Sequence, residues 1–279
     1  MIASGTHTIT HNTDGSKSFT ASVEAAIYYS VVNVTCENTW ALTTIARASS
    51  IASVSDIILG NACNVKWTPA SSGFKYKIKF SLENWNYTTD FISPNTTSSY
   101  IYTGYVISGT TVANNTTIYD QLPNSSSGTM TAILYTYNSS GTQIGSAYSK
   151  TFKVTIPDDV VPTVGTITLT PASITTVDGT SRSILVQGKN KVTVSISGCS
   201  AGTGSSIKSY TFSGPNISTT TTNTSVTSSS VIYDTGTLTY TVKVTDTRNR
   251  VAYEKATITC YEYALPYFES FNAYKSNAD

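Results

Sequence analysis

"TLTYTVKVTDTRNRVAYEKATITCYEY", residues 237–263, decides the fold of this chain. Its first half alternates, with Leu238, Tyr240, Val242 and Val244 on one parity and Thr239, Thr241 and Lys243 on the other. A period of two marks a β-strand with one dry face and one wet face. The second half continues the pattern: Ala252, Ala256, Ile258 and Cys260 share a parity and define a second apolar face. No segment of the chain sustains a 3.6-residue period for three helical turns.

Working outward, the same alternation recurs on both sides. Upstream lie "GTITLTP", "SILVQG", "KVTVSIS", "IKSYTFSG" and "VIYDTG", with Val192, Val194 and Ile196 alternating against Thr193 and Ser195. The tract "STTTTNTSVTSSS", residues 218–230, is low in complexity and reads as a long exposed connection or an edge strand. Further upstream, "SDIIL", "NVKWT", "YKIKFSLE", "SSYIYTGYVIS", "GTMTAILYTYN" and "SKTFKVTIP" form an earlier set. Lys75, Lys77 and Lys79 there alternate with Tyr76, Ile78 and Phe80. About seven short strands at 8–12-residue spacing, twice over, is the pattern of immunoglobulin-like or fibronectin type III-like β-sandwiches.

"PDDVVP", residues 157–162, separates the two sets, because prolines stop strand pairing and the acid pair keeps the segment wet. The predicted organisation is all-β: one sandwich over 50–157, a second over 158–265, and partial β-domains over 1–49 and 266–279. The opening "THTITHNTDGSKSFTASV" reads as a hairpin turning at Asp14-Gly15. Two strands alone are marginal in water, so this hairpin is expected to be the tail end of a preceding β-domain.

Composition narrows the function classes. Only 12% of the 279 residues are charged and the net charge is +1, so no strong field draws in nucleic acid or an acidic membrane. Surface polarity must come from Ser, Thr and Asn. The 19 tyrosines against 8 phenylalanines suit half-wet sheet faces, ring packed and hydroxyl solvated. No run reaches the roughly 18 apolar residues of a membrane helix. Cys36, Cys63, Cys199 and Cys260 contain no CxxC pair, which excludes a zinc ribbon. Cys199 and Cys260 are candidates for a bridge between two sheets. The plainer reading is buried thiols acting as small apolar groups.

Candidate sites are few. His7 and His11 stand four strand residues apart, ~13 Å, too far to share a metal. Most acids sit in turns, as Asp14, Asp178, Asp234 and Asp246 do, and no pair is set for glycosidase chemistry. Asp158 and Asp159, with Asp246, could supply a linker calcium site, although calcium needs six or more oxygens and a solvated linker is the simpler reading. Flat aromatic rings stack on sugars while neutral side chains bond hydroxyls. "ENWNYTTDF" and "SSYIYTGY" combine both, which makes Trp85, Tyr87, Tyr100 and Tyr102 glycan-contact candidates. A Trp in such a sandwich is more often core, and Trp67 reads that way. No cofactor is expected. Asn-X-Ser/Thr triplets at Asn33, Asn86, Asn95, Asn115, Asn216 and Asn223 follow from the composition alone.

Several stretches taken together resemble one family, the structural tail proteins of siphophages that infect Gram-positive bacteria. They are "SGTHTITHNTDGSKSF", "LTTIARAS", "SKTFKVTIPDDVVP", "ILVQGKNKVTVSI" and "VKVTDTRNRVAYEKATITCYEYALPYF". In place of the Asp-Ser-Arg-Gly-Arg expected from that family, the chain has Asp246-Thr-Arg-Asn-Arg250; Asn249 tolerates the left-handed turn nearly as well as Gly. The resemblance implies a non-enzymatic tail-fibre or tail-tip component of the virion. Its expected partners are other tail proteins and Gram-positive cell-wall polysaccharide, with no nucleic acid and no membrane, and the parent is expected to be homo-oligomeric. A bacterial surface adhesin of tandem immunoglobulin-like domains shares the fold and stands as the alternative. A glycan-cleaving tail enzyme is a third reading, without an acid pair to support it.

Overall fold

A computed structural model of the chain describes residues 10–11, 17–21, 38–42, 46–102, 106–177 and 179–264. The first strands are β1 (Thr10–His11), β2 (Lys17–Ala21) and β3 (Asn38–Leu42), an antiparallel sheet in the order β1-β2-β3. Thr10 pairs with Ser18, so the two arms of the opening hairpin lie side by side. The remainder of 1–49, and all of 266–279, contribute only a few further described residues or none.

Next come β4 (Ile51–Val54), β5 (Ile57–Ile58), β6 (Val65–Trp67), β7 (Lys75–Leu82), β8 (Trp85–Thr88), β9 (Tyr100–Tyr102), the single turn of helix α1 (Ile118–Gln121), β10 (Ser127–Tyr137) and β11 (Tyr148–Thr155). They build a three-stranded sheet, β4-β6-β9, and a five-stranded sheet, β5-β11-β10-β7-β8. The first strand is split between the sheets. β4 pairs antiparallel with β6, whereas β5 pairs parallel with β11. Asp56 marks the crossing, where its carboxylate accepts the Lys153 amide at 2.7 Å.

The later strands are β12 (Thr166–Pro171), β13 (Thr175–Val177), β14 (Thr180–Arg182), β15 (Leu185–Val186), β16 (Val192–Ser197), β17 (Ile207–Gly214), β18 (Ile217–Thr221), β19 (Ser225–Thr227), β20 (Gly236–Asp246) and β21 (Val251–Tyr261). Again a three-stranded sheet, β12-β16-β19, accompanies a five-stranded one, β15-β21-β20-β17-β18. β15 repeats the parallel pairing that β5 makes, now with β21. The added feature is the β13–β14 hairpin, inserted between the two halves of the split first strand. The fold is all-β, built from immunoglobulin-like, fibronectin type III-like sandwiches.

The chain forms two compact units. One comprises Met1–Gln121 and Ser127–Ile156, the other Leu122–Ser126 and Pro157–Asp279. In the first, β7 buries Tyr76, Ile78, Phe80 and Leu82 while Lys75, Lys77 and Lys79 stay half-wet. Met130, Ala132 and Leu134 on β10 meet them as direct or near neighbours in register, for example Leu134 opposite Ile78. The Ile, Leu, Phe and Met side chains among these each stabilise the sandwich by about 1.5–3 kcal/mol on burial. A polar network sits at the margin of this core. The buried hydroxyl of Ser49 and that of Tyr76 lie 3.0 Å apart, and the Ala70 amide donates to both. Burial raises the Tyr76 phenol above its ordinary pKa, although the bonds from Ser49 and Ala70 pull the other way.

In the second unit, Val192, Val194 and Ile196 of β16 pack with Phe212 of β17 and with Leu238, Tyr240, Val242 and Val244 of β20. Gly214 closes β17 beneath the Tyr240 ring, where an added Cβ would lie 2.3 Å from a ring carbon. The low-complexity tract runs as two edge strands, β18 on one sheet and β19 on the other, with the crossing between them. By contrast, "VIYDTG" forms no strand until Gly236. Ile232 is buried there, and its backbone is used by loops: its amide donates to Asn190 O and its carbonyl accepts from Gly188.

Candidate functional site

The four aromatic residues singled out for glycan contact divide. Trp85 opens β8 opposite Leu82 and is fully buried, with its indole N–H donated to Thr111 O at 2.9 Å. It is a core residue and presents no ring to a sugar, which corrects that expectation. The physical cause is the adjoining loop, which supplies a carbonyl that lets the amphipathic ring go fully inside. Tyr87, Tyr100 and Tyr102 are half-buried. Tyr87 lies on β8, the edge of the five-stranded sheet, and the other two on β9, an edge of the three-stranded sheet. Tyr100 packs its ring 5.1 Å from that of Trp67, which is itself buried. Burial raises the Tyr102 phenol, and the charges Tyr87, Tyr100 and Asp90 would carry raise it further. Tyr102 thus lies within electrostatic range of Tyr87 on β8 and of Tyr100 on its own strand.

Of the acids expected around the linker, Asp158 and Asp246 both engage Arg250. Asp158 is solvent-exposed and ion-pairs with Arg250 at 3.8 Å. Asp246 is buried, and its carboxylate is taken up by the Arg250 amide at 2.9 Å and the Ser205 hydroxyl at 3.1 Å. Among the described residues no group of three His, Cys, Asp or Glu is placed to hold a metal. Arg250 places a positive charge beside these acids. One guanidinium nitrogen of Arg250 donates to the carbonyls of Pro157 and Val160. Beside it the buried Arg248 donates from Nε to Leu122 O at 2.8 Å and from Nη1 to Thr203 O at 2.6 Å. Thr247 donates its hydroxyl to Pro123 O.

The turn carrying these groups joins β20 to β21. Asn249 occupies it with φ +64°, the left-handed conformation expected of it, and Asp246 closes the hairpin through its carbonyl and amide. Gly202 lies against this turn; a Cβ there would come within 2.9 Å of Val160 O and 3.1 Å of an Asp246 oxygen. Sequence reasoning read the turn but missed what its arginines hold. The available signal was two arginines within three residues in a chain poor in charge.

The Cys199–Cys260 bridge is not formed, since both thiols are free. Cys260 pairs with Leu185, and the adjoining Val186 is bonded to Asn190, just before β16 begins. Cys199 lies past the far end of β16, roughly 20 Å away at strand spacing. It accepts a weak bond from the Gly165 amide at 3.4 Å. Both act as small apolar groups in or against the core.

The chain belongs, over residues 1–279, to the family described as "Siphovirus protein of unknown function (DUF859)". No curated protein matches it. Among solved structures it is similar to the fibronectin(III)-like modules of Clostridium thermocellum CbhA, at 11% identity and TM-score 0.26, covering 80% of this chain and 100% of that one. It is also similar to a tetra-tandem repeat in the extending region of a large adhesion protein, at 14% identity and TM-score 0.34, covering 88% and 56% of the two chains. A third is a Ca2+-stabilised adhesin with which an Antarctic bacterium binds ice, at 15% identity and TM-score 0.28, covering 90% and 57%.

Proposed function

We propose that the chain is a non-enzymatic structural component of the siphophage tail, a spacer of tandem sandwiches that also touches host wall polysaccharide. One observation carries the reading: the same three-plus-five strand arrangement, with the same split first strand, occurs twice in succession. Repetition of one strand arrangement adds structure without adding new chemistry. The surfaces suit the role. Thr193 and Thr227, Ser195 and Ser225, and Thr211 and Thr220 pair their hydroxyls across strands at 2.9 Å, which keeps exposed faces polar and uncharged. The tyrosines at positions 87, 100 and 102 are the contact assigned to polysaccharide. Many copies on one particle turn weak contacts into avidity. Other tail proteins are the structural partners.

Antibody labelling of intact virions and retention of the purified chain on host walls test the two halves of this reading. Label is expected on the tail, and a Tyr87→Ala/Tyr102→Ala variant is expected to be retained several-fold less than wild type. Label confined to the capsid overturns the tail role. Wild-type passage through the walls without retention leaves a spacer and removes the adsorption half. Release of soluble wall fragments removes the non-enzymatic half.

A further inference from the structure

The second unit carries a groove of about 730 Å3 that none of these roles uses. It is lined by the start of the β13–β14 hairpin, by β15 and by the end of β21 with the residues that follow. Its size falls within the roughly 300–1,000 Å3 of small-ligand sites. Two tyrosines on its lining, Tyr261 and Tyr263, are 55% and 41% exposed, so their rings are available to a ligand. Ser173 and Thr175 add hydroxyls, and Ile174 adds an apolar side chain left 70% exposed.

The lining is held in place from beneath. Asn190, 2% exposed, donates its amide to Ser173 O at 3.1 Å and to Ser173 Oγ at 3.0 Å. Its side-chain oxygen accepts from the Val186 amide and the Thr175 hydroxyl, each at 3.0 Å. Four bonds on one buried side chain fix the hydroxyl-bearing segment against β15. Lys189 sets its ammonium 4.1 Å from the centre of the Tyr263 ring, and the Tyr263 amide donates to Gln187 Oε1 at 3.3 Å. A site whose side chains are already ordered loses less entropy on binding.

The chemistry points to one class of occupant. Among the described residues, the charged side chains lining the groove are one base and one acid, Lys189 and Glu262, which suits an uncharged ligand. Aromatic faces beside hydroxyls suit a sugar ring. An exposed isoleucine beside them offers a contact that a plain hexose does not fill and an acetamido methyl does. We propose that this groove binds a short oligosaccharide of N-acetylated amino sugars. The site stands apart from the tyrosine edge of the first unit, and its ligand class is argued from its own lining.

The test is an amide-resolved NMR titration of the full chain with tri-N-acetylchitotriose, using maltotriose as the acetamide-free control. Saturable shifts are expected at Thr175, Lys189 and Tyr261, with maltotriose at least about tenfold weaker. Tyr261→Ala is expected to lose at least about tenfold in affinity, and Tyr253→Ala, an exposed tyrosine of β21 outside the groove, to match wild type. No saturable shift at these amides overturns the site. Equal response to both sugars overturns the acetamido assignment. Shifts at the same amides that follow protein concentration without sugar show a second copy of the chain in the groove and likewise overturn it. If the Tyr261→Ala variant fails to fold, the wild-type shifts with the two sugars decide the matter alone. Failure here leaves wall retention through the first unit untouched, and loss of that retention leaves this titration untouched.

Discussion

Asn249 holds a left-handed backbone at φ +64°; its amide donates to Asp246 O at 2.9 Å and its side-chain oxygen accepts from Lys208 Nζ at 2.7 Å. Glycine reaches that conformation without cost, whereas a Cβ without a local hydrogen bond does not. Asn249→Gly should therefore lie within about 0.5 kcal/mol of wild type, and Asn249→Ala should lose about 1 kcal/mol, read from urea midpoints. Arg250 lies next in line. Its planar fork reaches two carbonyls and a carboxylate at once, a geometry an ammonium does not reproduce. Arg250→Lys is expected to cost about 1–3 kcal/mol. Asp158→Asn should leave the midpoint unchanged, because the carboxylate is fully in water. Adding calcium or chelator should move neither; a calcium-dependent midpoint would show that the guanidinium is not the cation organising this turn.

At the scale of elements, β6 shows how a strand of three residues anchors a sheet. Trp67 is fully buried between Tyr76 and Tyr100, with ring centres 5.3 and 5.1 Å away, yet its indole N–H has no hydrogen-bond partner. An unsatisfied buried donor costs about 1–3 kcal/mol, which offsets part of what the ring contributes. Trp67→Ala should destabilise the first unit by about 3–5 kcal/mol. Trp67→Phe should cost clearly less, because it removes the orphan donor along with part of the ring. Equal losses in thermal denaturation would mean that the indole nitrogen is satisfied in solution. Alternation made β7, β10, β16 and β20 legible, since one residue in two had to be apolar. The same rule made "VIYDTG" look like a strand, although its one deeply buried residue, Ile232, serves a loop. Parity also grouped Trp85 with Tyr87 but carried no information on depth. The loop that covers Trp85 comes from Thr111, far along the chain.

For the whole molecule the response to alkali follows from the two cores. Burial pushes the Cys63 thiol up to about 12 in the first unit. In the second, Tyr240 is pushed up to about 12, by burial first and then by Cys260 and Asp234. The unfolded chain gives up these protons near 9 and 10, while the folded chain keeps them. Stability from this source is complete below about pH 9 and is lost as pH climbs toward about 12. Thermal midpoints should be flat from neutral pH to about 9 and fall above it, and Tyr240→Phe should shallow the fall above about 10. An unchanged slope in that variant would assign the alkaline loss to other groups.

The sequence by itself determined the strand-rich class, the two successive sets of strands, the uncharged character of the surface and the left-handed turn at Asn249. These depend on parity, composition and local backbone preference, which act between near neighbours. Only the tertiary structure decided that Trp85 is buried, that Cys199 and Cys260 lie at opposite ends of β16, that Arg250 holds the linker carbonyls and Asp158, and that Asn190 props a groove. Each of these depends on contacts set by how the strands and loops stack, and not by any local period.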